Sequence, residues 1–190
     1  LPSPIPLHTA SSNVLTLDHT QTSHTMAQPP PAGSASSAME ARMLQVLRST
    51  FGLSEFREQQ KEVIMNVLQG GSGLVLFPTG GGKSLCYQLP ALLLDGVTIV
   101  ISPLISLMHD QVTALRARGV EAHYISSAQN ASFTNQVLAD LAALPKPKVK
   151  ILYITPERLE IKSFIQLLQG LYARGLLAAI AVDEGIAYLK

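Results

Sequence analysis

The chain has no tryptophan and one cysteine, Cys86. A lone cysteine cannot close an internal disulfide, so stability has to come from a packed core, and the usage fits a reducing compartment. Cys86 itself reads as a small apolar residue. Lysine and arginine are missing from residues 1–41, where Asp18 and Glu40 are the only charged side chains. Without arginine, this segment does not read as a mitochondrial transit peptide. Without a basic start and an apolar centre, it does not read as a secretory signal. Aromatic residues and apolar periodicity are missing from residues 1–38, which are rich in Ser, Thr, Pro and Ala and include Pro29-Pro30-Pro31. That composition predicts a disordered tail over 1–38. His8, His19 and His24 lie in it and are not read as a metal site. The first residue is Leu1, and Met26 and Met39 are the candidate starts. No apolar run reaches the ~18 residues of a membrane-spanning helix, so no membrane partner is expected. Net charge is only +1. There is thus no global basic field for nucleic acid, and any such contact has to be local.

What is present is a core. Of 190 residues, 47% are hydrophobic, enough for one domain, predicted over 39–184. Met39, Met43, Leu44, Leu47 and Phe51 recur at helical spacing up to Gly52. A second helix is predicted from about Arg57 to Leu68, with Val63, Ile64, Val67 and Leu68 inward. Strands are predicted at Leu74–Phe77, Val97–Ile101, Ala122–Ile125, Val149–Ile154 and Leu177–Val182, the last strand of the chain. Helices are predicted between them: one opened by Lys83-Ser84, then Leu104–Ala117, Gln136–Leu144 and Ile161–Ala173. This alternation predicts an α/β fold, a mostly parallel sheet with helices on both faces.

Phe77-Pro78-Thr79-Gly80-Gly81-Gly82-Lys83-Ser84 follows an apolar run and opens a helix. Strand, glycine loop and helix together make a phosphate cradle, with backbone N–H groups and the positive helix end facing an anion. Lys83 supplies a charge for the β/γ-phosphates, and the Ser84 hydroxyl a ligand for Mg²⁺. The full phosphate-loop pattern asks for Gly where Phe77 stands. Ligands of parallel sheets bind beyond the carboxyl ends of strands. That rule selects the loops beginning at Pro78, Ser102, Thr155 and Asp183. Asp183-Glu184 ends an apolar strand with two carboxylates. In a nucleotide enzyme the first holds Mg²⁺ and the second polarises the attacking water. His109 and His123 read as surface or packing residues, and Lys146, Lys148 and Lys150 as a solvated loop.

In this combination the chain resembles the RecQ family of superfamily 2 DNA helicases, from about Leu44 to Glu184. Phe51-Gly52-Leu53-Ser54-Glu55-Phe56-Arg57-Glu58-Gln59-Gln60 looks like the family's adenine-recognition segment, which implies that Arg57 and Gln60 contact the base. Leu53 stands where relatives often carry an aromatic. Phe77 to Ser84 with Leu85-Cys86-Tyr87-Gln88-Leu89-Pro90-Ala91 is similar to helicase motif I. That makes Thr79, Gly80, Gly81, Gly82, Lys83 and Ser84 the ATP-binding loop. Ser102-Pro103-Leu104 opens a segment similar to motif Ia, and Thr155-Pro156-Glu157 lies in one similar to motif Ib. The resemblance implies that both hold phosphates of single-stranded DNA, contacts that carry no sequence information. Val182-Asp183-Glu184 starts motif II, with Asp183 for Mg²⁺ and Glu184 catalytic beside Lys83. The implied fold is a single RecA-like lobe. The implied function is the ATP-binding lobe of a 3′–5′ DNA helicase serving repair and recombination, intracellular and nuclear, on single-stranded or forked DNA.

After Glu184 the family's Asp-Glu-Ala-His pattern gives way to Gly185-Ile186-Ala187-Tyr188-Leu189-Lys190, a divergent end over 185–190. The expectation is a truncated product without the second lobe and its arginine, which in related NTPases raises the rate by ~10³–10⁵. Such a chain would not unwind DNA by itself. The alternative function is a non-catalytic module that binds nucleotide or DNA. A kinase-type P-loop enzyme is the third reading, disfavoured by the Ser102 and Thr155 loops.

Overall fold

Apolar residues three and four apart turn one face of each helix inward. A computed structural model of the protein describes residues 33–57, 59–78, 80–183 and 187–189. Its helices are α1 (Gly33–Ser49), α2 (Gln60–Leu68), α3 (Leu85–Leu93), α4 (Ile105–Ala117), α5 (Ala131–Ala142) and α6 (Lys162–Ala173). Met43 and Leu47 of α1, Ile64 and Val67 of α2, Met108, Val112 and Leu115 of α4, and Phe164, Leu168 and Leu171 of α6 are buried at that spacing. Each large apolar side chain so buried contributes ~1.5–3 kcal/mol.

The strands are β1 (Gly73–Leu74), β2 (Val97–Ile101), β3 (Ala122–Ile125), β4 (Ile151–Ile154), β5 (Leu177–Val182) and β6 (Ala187–Leu189). They form one sheet in the order β1-β6-β5-β2-β4-β3. The four strands β5, β2, β4 and β3 are parallel, and β6 is antiparallel to both β5 and β1. Successive strand residues point to opposite faces. Accordingly Val100, Ile151, Tyr153 and Ala181 join one core with Cys86, Tyr87 and Ala91 of α3 and the inward face of α4. Val97, Ile99, Leu152 and Ile154 join the other with Val137 and Leu141 of α5 and the inward face of α6. A third cluster packs α1 and α2 onto Leu85 and Leu89 of α3. The α/β fold expected from the alternation, a parallel sheet between helical layers, is therefore present.

Three boundaries differ from the sequence reading. The predicted tail extends to residue 38, but α1 begins at Gly33. Ser34–Ala38 includes good helix formers, which prolong a helix already anchored by Met43 and Leu47; residues 1–32 lie outside the described residues. The run Leu74–Phe77 is not a strand buried on both faces. Pairing covers only Gly73–Leu74, at the sheet edge, and Leu74 and Leu76 are 65% and 81% exposed while Val75 is buried. An edge segment covered on one side needs only alternate residues apolar, so the continuous run was misleading. β5 is also not the final strand: β6 follows and inserts between β5 and β1. Among smaller shifts, α5 starts at Ala131 instead of Gln136, because the Asn130 side chain caps it by accepting from the Ser132 N–H at 2.8 Å.

The start of β2 is fixed by Gly96. It has φ +92°, and a Cβ there would lie 2.1 Å from the Leu176 carbonyl oxygen, which accepts the Val97 N–H at 2.9 Å. Gly96→Ala is expected to cost about 3 kcal/mol or more, from backbone strain and overpacking together. Urea unfolding of the two chains measures this.

Candidate functional site

Register brings four loops into one row. Ile101 lies beside Ile154 and Val182, and Ile154 beside Ile125. The next residues, Ser102, Thr155, Asp183 and Ser126, therefore stand side by side at the carboxyl edge of the sheet. Backbone bonds fix the row: Ser102 N–H donates to Ile154 O at 2.9 Å, and Asp183 N–H to Ile101 O at 2.8 Å. Sequence reasoning found three of the four. It missed Ser126, although Ser126-Ser127 after the apolar Ile125 is the same signal. The hydroxyls of both Ser102 and Ser126 are buried without a partner among the described residues.

The glycine loop lies between α2 and α3. Its carbonyls are held by the side chains expected to meet a nucleotide. The Lys83 ammonium donates to Phe77 O at 3.2 Å. The Arg57 guanidinium donates to Gly80 O. The Gln60 amide, only 2% exposed, donates to Gly82 O at 3.2 Å and accepts the Arg57 N–H at 2.8 Å. Gly82 has φ +81°, and a Cβ there would meet the Gln60 amide nitrogen at 2.2 Å. The close approach of Gln60 thus depends on glycine. Gly81 N–H folds back on Pro78 O at 2.9 Å. Ser84 precedes the first residue of α3 with helical dihedrals. Thr79 and Glu184 lie outside the described residues.

Asp183 is 7% exposed, and its carboxylate accepts the Tyr87 hydroxyl at 3.3 Å. Tyr87 is the third residue of α3, and its backbone N–H donates to Ser84 O at 3.3 Å. One residue of α3 therefore joins the start of that helix to the end of β5. Burial above all, then Tyr153 and the Asp183 carboxylate, push the Tyr87 hydroxyl well above the usual phenol range. It remains a donor. Ser84 and Asp183 are hard oxygen ligands of the kind Mg²⁺ takes, and Mg²⁺ ordinarily completes its shell with water and phosphate oxygens. The pair fits that ion. Among the described residues there is no cluster of three His, Cys, Asp or Glu that would hold a metal unaided.

Pro103 and Leu104 are exposed ahead of α4. Thr155 leads into a 3₁₀ turn, Pro156–Glu160. The Glu157 carboxylate is held below its ordinary range by its own backbone N–H and the Thr155 side chain. Lys146, Lys148 and Lys150 precede β4, at the sheet end opposite the row. Lys146 pairs with Asp95 at 3.3 Å and Lys150 donates to Leu94 O at 2.8 Å. His123 packs on Phe133 and contacts Arg116, and His109 is exposed.

Residues 57–184 match the family model described as DEAD/DEAH box helicase. The "ATP-dependent DNA helicase RecQ" of Haemophilus influenzae is 48% identical over 141 residues, 74% of this chain and 22% of that protein. The protein of the same name from Bacillus subtilis is 44% identical over 144 residues, 75% of this chain and 23% of that protein. The "RecQ-like DNA helicase blm-1" of Caenorhabditis elegans is 40% identical over 147 residues, 77% of this chain and 15% of that protein. The chain thus spans less than a quarter of the length of these relatives.

Cys86, on α3 beside this site, is fully buried, and burial pushes its thiol up to about 12. At pH 8 only ~10⁻⁴ of it is thiolate, the reactive form. The folded chain should therefore react with Ellman's reagent at a rate set by unfolding, and at once in guanidinium.

Proposed function

Because the chain belongs to the DEAD/DEAH box helicase family, with RecQ helicases as its relatives, we propose that it is the ATP-binding lobe of a RecQ-like 3′–5′ DNA helicase. The observation that carries this reading is the row at the carboxyl edge. Ser102 and Thr155 stand in register with Asp183, and Tyr87 joins Asp183 to the helix opened by Lys83-Ser84.

The residue roles follow from their chemistry. Lys83 leaves Phe77 O for the β/γ-phosphates, and the N–H groups of Gly80 and Gly82, with that of Gly81 once it releases Pro78 O, line the cradle with Thr79. Ser84 and Asp183 would hold Mg²⁺, which supplies neutralising charge for the phosphates when bound. Glu184 accepts a proton from the attacking water. Arg57 and Gln60 face adenine, the Gln60 amide offering a donor and an acceptor where adenine has both. Ser102-Pro103-Leu104 and Thr155-Pro156-Glu157 track the backbone of single-stranded or forked DNA. For the whole protein, the reading is ATP hydrolysis coupled to strand separation in repair and recombination, inside a nucleus.

A second reading, a module that binds without turnover, is favoured by one observation. Arg57, Gln60 and Lys83 all spend donors on the loop's own carbonyls. DNA-stimulated ATP hydrolysis separates the two. It supports the enzyme if it appears and the binding module if ATP is bound but not consumed.

At 100-fold excess over Kd a ligand adds ~2.7 kcal/mol of stability. Lys83→Ala is expected to remove most of the melting shift that Mg·ATP gives the wild type; an equal shift in both chains would end the role given to Lys83. Gln60→Ala should narrow a wild-type preference for ATP over GTP, measured by the same shift with each nucleotide.

A further inference from the structure

Two tyrosines lie in the core between α3 and the sheet, where phenylalanine would fill nearly the same volume. Tyr87 is 1% exposed and Tyr153 is fully buried, and their rings meet edge to face at 6.2 Å. A buried hydroxyl has to be satisfied, or it costs ~1–3 kcal/mol. Both are. Tyr87 donates to Asp183 at 3.3 Å, and Tyr153 accepts from the Gln88 amide at 3.0 Å. The second N–H of that amide donates to the Gln111 side-chain oxygen on α4 at 2.7 Å. Gln88 is itself buried. Two hydrogen-bonded groups, Asp183 with Tyr87 and Tyr153 with Gln88 and Gln111, therefore meet at the edge-to-face contact of the two rings, between the end of β5 and the middle of α4.

We propose that Tyr87 is a positioning residue for the Asp183 carboxylate, and that Tyr153, Gln88 and Gln111 brace it and tie it to α4. This rests on the reading of Asp183 as a Mg²⁺ ligand. The carboxylate has two oxygens. Tyr87 engages Oδ2, which fixes the side-chain rotation and so aims Oδ1. Partners that orient a metal-holding carboxylate typically contribute 10–100-fold in metal affinity. Because the Tyr153 ring packs edge to face on the Tyr87 ring, changes at the bracing residues should act through Tyr87. The arrangement also couples Asp183 to the middle of α4 through the packed ring pair.

The test uses the 190-residue chain, with ADP at a fixed saturating concentration and Mg²⁺ titrated from an EDTA baseline. The readout is the melting temperature. Tyr87→Phe keeps the ring and deletes the donor. It is expected to raise the Mg²⁺ concentration for half-maximal added stabilisation about tenfold, while the shift given by ADP in EDTA stays as in the wild type. Tyr153→Phe keeps both rings but deletes the hydroxyl that accepts from Gln88, and should raise the half-point by a smaller factor, about threefold by the same scale. It serves as the deciding variant if Tyr87→Phe does not fold. A lower apo melting temperature with an unmoved Mg²⁺ half-point would make the tyrosines merely structural and overturn the proposal. So would a parallel loss of the ADP shift in EDTA, which would mean general damage to the site. If wild type binds ADP but shows no Mg²⁺ dependence, the role of Asp183 falls and this proposal with it. A wild type that gains nothing from ADP with or without Mg²⁺ would instead remove the nucleotide reading itself.

Discussion

Ile101 sits in the middle of the sheet, paired on one side with Ile154 and on the other with Val182. That shared register decides where the chemistry of this chain stands. Parallel strands that end level deliver their following residues to one line, and here the line reads Asp183, Ser102, Thr155, Ser126. A slip of one residue in β5 would exchange its two faces. Ala181 would leave the core it shares with Val100 and Tyr153, and Asp183 would no longer meet Tyr87. The packing of both cores thus enforces the row, and Gly96, closed against the Leu176 carbonyl, fixes where β2 and β5 begin to run together.

The two halves of the site differ in how they are held. Asp183 is buried, bonded through its backbone to Ile101 and through its side chain to Tyr87. The carbonyls of the glycine loop are held by its own Lys83, half-buried, and by two side chains that precede it, exposed Arg57 and buried Gln60. A buried carboxylate with one fixed oxygen is a preformed element. A loop whose carbonyls are occupied by flexible cations is an adjustable one. Nucleotide sites built on a rigid sheet commonly divide this way, with movable segments drawn from the less stable part of the structure.

Local signals in the sequence located most of this. β3 and β5 fall where apolar runs end at polar or glycine residues, and three of the four carboxyl-edge loops follow from the same rule. The Leu74–Phe77 run failed because an apolar tetrapeptide does not say whether a strand is central or at an edge; exposed Leu74 and Leu76 show the latter. The start of α5 was missed because Asn130 was not read as a cap, though its type allowed it. The bond between Tyr87 and Asp183 joins residues 96 positions apart. No spacing rule reaches that far: a tyrosine in an amphipathic helix reads as core until the fold supplies its partner.

Lys83 resting on the Phe77 carbonyl has a thermodynamic consequence of its own. The loop carries an internal competitor at a concentration that dilution cannot lower. An anion that needs the ammonium aimed away from Phe77 must first displace that carbonyl, so its observed affinity is the intrinsic one multiplied by the fraction of open loops. With ten closed loops for each open one, affinity would fall about tenfold. Because the competitor is a neutral carbonyl, salt screens the incoming anion far more than it screens the internal bond. Rising ionic strength would therefore tilt the exchange toward the closed loop.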